Sequence, residues 1–362
     1  MRKWMAILLT AGLCAAGLLQ WRGLKEYGGQ IFYGYGEKAA PDRALLNQLA
    51  RQEKEAGDSL PGMAAWSVEE GVEVENRSLG RVGSAARMVV WGDRELAARR
   101  RLAAGNYGYS SDAGACVISR GLAMELFGSV SVVGMEVRCD GADYIVRGVT
   151  EDDRKVVILP ASAHPMRFSY LLLDFGRDRA AKAGADQLLY GYGAGGARCR
   201  MDGEVCLALA GLFALLPVLT ALGRALFLYC RREQSALRRG AACGAAAAAL
   251  MGIFFMMGAG GLRFPPDLIP SRWSDFAFWG RRWGELSASF RFAGAAGWAE
   301  WPEFLGKRTV LGALWGFFGA VAALFTGNGI VRKSLLTLRC KVSKVGIGVN
   351  LEEGVSREED TV

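Results

Sequence analysis

Few residues in this sequence come in the types and spacings that chemistry needs. His164 is the sole histidine, and no second histidine and no cysteine or glutamate cluster accompanies it, so neither a metal site nor a catalytic triad is predicted. Eight cysteines are scattered as Cys14, Cys116, Cys139, Cys199, Cys206, Cys230, Cys243 and Cys340, with no pair at metal-ligand spacing. Gly191, Gly193 and Gly196 spell G-x-G-x-x-G within "GYGAGG". That pattern cradles a dinucleotide only where it opens a helix in a strand–helix–strand unit. Here it leads towards an apolar segment and reads as a flexible linker. No G-x-x-x-x-G-K-[ST] phosphate loop occurs in these 362 residues, so ATP hydrolysis is not expected of them. The expectation is a chain with no catalytic, cofactor-binding or metal-binding residues of its own, and a membrane enzyme is the weakest reading.

The elements explain what the residues are for. Of the 362 residues, 51% are hydrophobic, and they concentrate in four stretches. Residues 4–21 run 18 positions without a charge, 205–223 run 19, 241–262 run 22 and 309–331 run 23. A bilayer core needs roughly 20 apolar residues in helix, so these are the predicted transmembrane segments. Arg2 and Lys3 ahead of the first stretch also suit a cleaved signal peptide, but the stretch exceeds the roughly 7–15-residue core of such peptides, and an uncleaved anchor is expected. Cys14 follows Leu13 rather than a small residue, which argues against a lipoprotein site.

Basic flanks give the orientation, because short cytoplasmic loops carry the excess of Lys and Arg. Residues 231–239, "RREQSALRR", hold four Arg in nine positions, and 332–344 hold five Lys or Arg in 13, against seven in 46 for 263–308. The resulting plan is a transmembrane anchor over 1–21, an extracytoplasmic domain over 22–204, the second and third helices with a short cytoplasmic loop over 205–262, an outer Trp-rich loop over 263–308, the fourth helix over 309–331 and a cytoplasmic tail over 332–362. The protein is thereby expected in a bacterial cytoplasmic membrane, multi-pass, with its large domain outside. The net charge of +8 is mostly this topology signal, favoured beside anionic lipid, and nucleic-acid binding is not read from it.

The outer segment has α+β texture. Within 22–58, a polar and charge-rich stretch, "RALLNQLARQEKEAG" places Leu45, Leu46 and Leu49 at helical spacing. Further on, "ACVI" at 115–118 reads as a buried strand, Ser119 as an N-cap, and "RGLAMELF" as a helix with Leu122, Ala123, Leu126 and Phe127 on one face and Gly128 as its left-handed stop. "MEVRC", a turn at Asp140 and Gly141, and "DYIVRGV" make a β-hairpin; "VVIL" at 156–159 is a further strand, ended by Pro160. Cys116, Cys139 and Cys199 fall outside the membrane in this plan, and a Cys116–Cys139 disulfide stays open, with Cys199 then unpaired. The fold class predicted is an α+β extracytoplasmic domain plus four transmembrane helices, one before it and three after.

The stretch "CVISRGLAMELFGSVSVVGMEVRCDGADYIVRGVTED" resembles the periplasmic core domain of MacB-type permeases, at Leu122, Ala123, Leu126, Phe127, Gly128, Val133, Gly134, Val137, Tyr144, Val146, Gly148 and Val149. The resemblance covers roughly residues 60–161, and the one-plus-three arrangement of helices is that of the MacB and FtsX group of ABC transporters. "RREQSALRRGA" is similar to that group's cytoplasmic coupling segment at Glu233, Leu237, Arg238, Gly240 and Ala241, with Arg232 ahead of them, although its glycine comes early and Arg239 stands where a small or apolar residue is usual. The resemblance implies a permease-like subunit, in a homo- or heterodimer, joined to a separate ABC ATPase that binds ATP with Mg²⁺, and an outer domain moved by it for export or mechanotransmission, with an extracytoplasmic protein partner open. The other reading is a membrane-anchored sensor or scaffold whose outer domain binds a ligand or protein with no ATPase.

Smaller features fit either reading. Arg224 near the inner end of the second segment is expected to snorkel. Gly312 and Gly316 in "GALWG", and the run "CGAAAAA", offer smooth faces for helix packing, within the chain sooner than between chains. Trp273, Trp279, Trp283, Trp298 and Trp301 crowd the outer loop, where "SDFAFWGRRWGEL" reads as a helix lying on membrane lipid, or as a lipid or peptide substrate site. The tail "LEEGVSREEDTV" is expected to be solvated.

Overall fold

Strands form where apolar and aromatic residues run in short blocks, and among the described residues ten such blocks join one mixed sheet. The computed structural model describes residues 2–55, 61–109, 112–161, 166–176, 178, 182–259, 265–270, 272, 274–295 and 300–326. The strands are β1 (Gln30–Tyr35), β2 (Gly62–Asn76), β3 (Arg81–Gly92), β4 (Leu102–Gly105), β5 (Ala115–Ser119), β6 (Glu136–Cys139), β7 (Ala142–Thr150), β8 (Val156–Pro160), β9 (Tyr170–Asp174) and β10 (Ala197–Asp202). Their order is β10-β1-β9-β2-β3-β8-β5-β7-β4, with β6 paired to β2 and β7. Pairings are antiparallel except β3 with β8 and β5 with β7. The helices are α1 (Arg2–Gly23), α2 (Arg43–Glu55), α3 (Arg94–Ala98), α4 (Arg120–Phe127), α5 (Ala185–Gly191), α6 (Gly203–Arg232), α7 (Ala236–Ala259), α8 (Phe278–Ala295) and α9 (Glu300–Thr326).

Two compact units result: Leu19–Gly211 with Gly258–Gly312, which holds the sheet, and Met1–Leu18 with Leu212–Met257 and Ala313–Val362. In the sheet unit, strands buried on both faces show why the sequence there is apolar without alternation: every residue of β1, β5 and β8 is buried. One face packs Ile31, Tyr33, Leu171, Leu173, Val157 and Ile118 against Leu46 and Leu49 of α2 and Leu122 and Leu126 of α4. The other carries an aromatic cluster in which Phe32, Trp66 and Tyr170 lie 5.7–5.9 Å apart between ring centres, with Phe292 of α8 edge-on to Tyr170 at 6.3 Å.

The second unit shows helix packing governed by a proline and two glycines. Pro217 inside α6 has no N–H to give the carbonyl of Phe213. That carbonyl lies so close to Gly316 of α9 that a Cβ there would collide with it, and a Cβ on Gly319 would stand 2.7 Å from Pro217 Cγ and 3.4 Å from Leu13 Cβ of α1. The small residues of α9 thus let the Phe213–Pro217 turn of α6 come close, as helix packing in membranes favours. By contrast α7 is almost uncovered, and Gly240, Gly244 and Gly252 have open space beside them.

Among the described residues four helices are long and apolar enough to cross a membrane, over Ile7–Tyr27, Gly203–Arg232, Ala236–Met256 and Phe304–Phe325. One precedes the sheet and three follow it. The local parse of 115–159 matches the structure element by element. One expectation needs correction. The polar segment 22–58 contains β1, a wholly buried strand paired on both sides, because Ile31, Phe32, Tyr33 and Tyr35 outweigh the polar flanks. Cys116, Cys139 and Cys199 are free, buried thiols, so the disulfide left open above is not formed. Val132 is fully buried whereas Val133, the position matched by resemblance, is 47% exposed. His164, Trp273, Trp298, Cys340 and the tail 332–362 lie outside the described residues.

Candidate functional site

Among the described residues no three His, Cys, Asp or Glu side chains gather as metal ligands. The charged side chains that do gather lie where β10 runs into α6. Asp202 accepts from the backbone N–H of Glu204 at 2.8 Å, satisfying one of the orphan donors at the start of α6. Its Oδ1 also accepts from Lys182 Nζ at 2.5 Å. Lys182 donates in addition to the carbonyl of Gly28 at 2.7 Å and lies 3.6 Å from Glu204. The side chains of Lys182 and Asp202 are only 6% and 8% exposed, and charges so far from water persist only when paired and hydrogen-bonded.

Arg200, on the same strand, extends the cluster. Its guanidinium reaches Asp267 at 2.7 Å, Asp186 at 3.1 Å and Asp202 at 3.5 Å, and Arg282 of α8 shares Asp267 at 3.3 Å. Burial disfavours the Arg200 charge, but Asp267 and the other two carboxylates more than offset it and hold the pKa above the ordinary arginine value. Tyr33 of β1 donates to Asp186 at 2.7 Å; burial, then that carboxylate, raises its pKa, so the phenol remains a donor. Cys199 Sγ donates to the Ser289 carbonyl at 3.5 Å, and burial pushes this thiol up to about 11, which keeps it protonated. Three cations and four carboxylates (Lys182, Arg200 and Arg282 with Asp186, Asp202, Glu204 and Asp267), with Tyr33 of β1, thereby tie the turn after α1, the edge strand β10 and its neighbour β1, the start of α6 and α8 into one joint.

At its other end α6 stops at Arg232, and α7 begins at Ala236. Glu233 Oε1 accepts from the Ser235 N–H at 3.2 Å, the Ser235 hydroxyl oxygen accepts from the Arg238 N–H at 3.5 Å, and Glu233 and Arg238 pair at 3.9 Å. The turn is closed from within by these contacts, which leaves Leu237 85% exposed, with Arg232 and Arg238 also exposed and open space at Gly240. Arg232, Glu233, Leu237, Arg238 and Gly240 therefore share one small surface, an uncovered leucine rimmed by arginines.

The matched residues of the sheet unit have structural duties. Ser119 Oγ accepts from the N–H groups of Leu122 at 3.3 Å and Val156 at 2.9 Å, joining α4 to β8. Leu122 and Leu126 are fully buried, Phe127 packs against the same core, and Gly128 closes α4 at φ +75°. Gly134 has φ +89°, where L side chains are strained, and its N–H donates to the Val146 carbonyl at 2.7 Å. Val146 and Val149 are buried on β7, and Gly148 lies against the Asn106 carbonyl with no room for a Cβ. The ionic joint escaped sequence reading altogether. Only Asp202, an acidic residue directly ahead of a long apolar helix, carried a signal that could have found it.

No family model and no curated protein matches the chain. Among solved structures it is similar to the crystal structure of the extracellular domain of a noncanonic ABC-type transporter, YknZ, from Gram-positive bacteria, at 18% identity over 45% of this chain and 94% of that one, with a TM-score of 0.35. The periplasmic region of MacB from Actinobacillus actinomycetemcomitans is matched at 14% identity over 50% of this chain and 91% of that one, with a TM-score of 0.40. A domain of a putative permease protein from Porphyromonas gingivalis is matched at 12% identity over 46% and 82%, with a TM-score of 0.32.

Proposed function

We propose that this chain is a permease-type subunit of a MacB/FtsX-type ABC system that transmits movement from a separate cytoplasmic ATPase to its sheet domain outside the membrane. The observation that carries the reading is α6: one unbroken helix begins at the buried Lys182–Asp202 joint and ends at the turn that presents Leu237. Such a helix passes displacement at one end to the other, and the joint passes it on to β1, β10 and α8. The ordered motif around α4 and β6–β7 and the one-plus-three arrangement of apolar helices support the same family. The ATPase would hold ATP and Mg²⁺, and the uncovered small-residue face of α7 suits pairing with a second permease subunit.

The test is purification of the tagged chain in mild detergent with identification of bound proteins, comparing wild type with the double variant Glu233→Arg, Arg238→Glu. This exchange keeps the internal ion pair of the turn while altering the charge its surface presents. An ABC ATPase recovered with the wild type and lost with the variant is the expected result. Well-folded wild type that brings down no ATPase would instead favour the sensor or scaffold reading.

A further inference from the structure

Helix α8 has two different faces, one docked on the sheet and one carrying exposed aromatic rings. On the first, Arg282 pairs with Asp267, the Ser289 carbonyl accepts from Cys199, and the Phe292 ring lies over Gly34 of β1, where a Cβ would collide with it. That face bolts α8 to the β10–β1 edge of the sheet. On the second, Trp279, Trp283 and Phe290 fall within a stripe about 40° wide at 100° per residue, running about 16 Å along the helix. Trp279 is 56% exposed, Trp283 64%, and Phe276 just ahead of the helix 90%. Exposed tryptophans in a row, on a helix otherwise firmly docked, ask what covers them.

The stripe leads to the place where α9 enters its apolar window. A Cβ on Gly306 would stand 3.4 Å from the Phe290 ring, so the C-terminal end of the stripe lies against α9 two residues inside the window Phe304–Phe325. Cations flank this contact in sequence: Arg291 and Lys307 are both exposed. Aromatic rings at the level where a spanning helix begins, with arginine and lysine beside them, match the chemistry of the lipid interface, apolar below and phosphate above.

We infer that Phe276 and the Trp279–Trp283 stripe of α8 lie in the headgroup and glycerol region of the outer leaflet, so that α8 is a bracket holding the β10–β1 edge of the sheet at a fixed height over the bilayer. The occupant is lipid. The inference needs α9 to cross the membrane and is independent of any ATPase.

The test uses the full chain in vesicles of phosphatidylcholine and phosphatidylglycerol, with lipids brominated either near the carbonyl or near the methyl end of the acyl chain. Wild type is compared with Trp279→Phe plus Trp283→Phe and, separately, with Trp315→Phe in the middle of α9. The expected difference spectra show Trp279 and Trp283 quenched chiefly by the shallow bromines and Trp315 chiefly by the deep ones. If Trp279 and Trp283 escape both bromines and are quenched by acrylamide, they face water and the inference is wrong. If they escape bromine and acrylamide alike, a second copy or another protein covers them, which also overturns it. Loss of deep quenching at Trp315 would trace the failure to the spanning of α9 instead.

Discussion

Lys182 is the residue on which the joint depends, because it neutralises Asp202 while tying down the Gly28 carbonyl. Removing one member of a buried pair costs about 3–5 kcal/mol, and the lower end applies here because Arg200 remains 3.5 Å from Asp202. Lys182→Met in the full chain is therefore expected to lower the unfolding temperature of the sheet unit in detergent, by about 6–12 °C at the lower end of that range. Adding Asp202→Asn should restore part of the loss, since the buried carboxylate that has lost its nearest cation is then neutral; a single variant that unfolds like wild type would show the pair to be dispensable. None of this was legible in the sequence, for a physical reason. Lys182 and Gly28 are 154 positions apart and Arg200 and Asp267 are 67 apart, so only the folded sheet brings them together. The Ser119 cap, the α4 face and the Gly128 stop were legible because each is decided within one or two helical turns.

At the scale of elements, legibility followed the strength of the local pattern. The hairpin β6–β7 announced itself through alternation and the Asp140–Gly141 turn, whose residues adopt φ +50° and +78°. β1 did not, because a strand buried on both faces has no alternation to read and its six residues lie in a polar neighbourhood. The G-x-x-x-G spacing in α9 was read as packing, yet spacing alone could not tell its two glycines apart. A Cβ on Gly312 would meet Gln20 and Ala210 at 3.5 and 3.6 Å, ordinary contacts, whereas one on Gly316 would strike the Phe213 carbonyl. Gly312→Ala should accordingly be neutral or stabilising by up to about 1 kcal/mol from helix propensity, and Gly316→Ala destabilising by about 1–3 kcal/mol from overpacking. Thermal unfolding of the two variants in the same detergent checks the contrast, and equal effects would mean that α6 and α9 do not approach as described.

For the whole molecule, the question is whether stiffness of α6 matters or whether any tether between the turn at 233–235 and the joint would serve. Ala221→Gly with Leu222→Gly places three glycines in succession with Gly223, keeps the helix length, and weakens the helix by about 1 kcal/mol per new glycine. The turn is unaltered, so an ATPase bound there should still co-purify, and the joint is unaltered, so the sheet unit should unfold as in wild type. If the proposed ATPase binds, a non-hydrolysable ATP analogue is expected to change hydrogen exchange at 197–202 and at 267–268, the segments that Arg200 links through Asp267. The glycine variant should bind the ATPase equally well and lose that change, because a softened helix absorbs displacement that a stiff one passes on. Retention of the full change in the variant would remove α6 from the path and shift transmission to α9 or α1, the other apolar helices that run into the sheet unit.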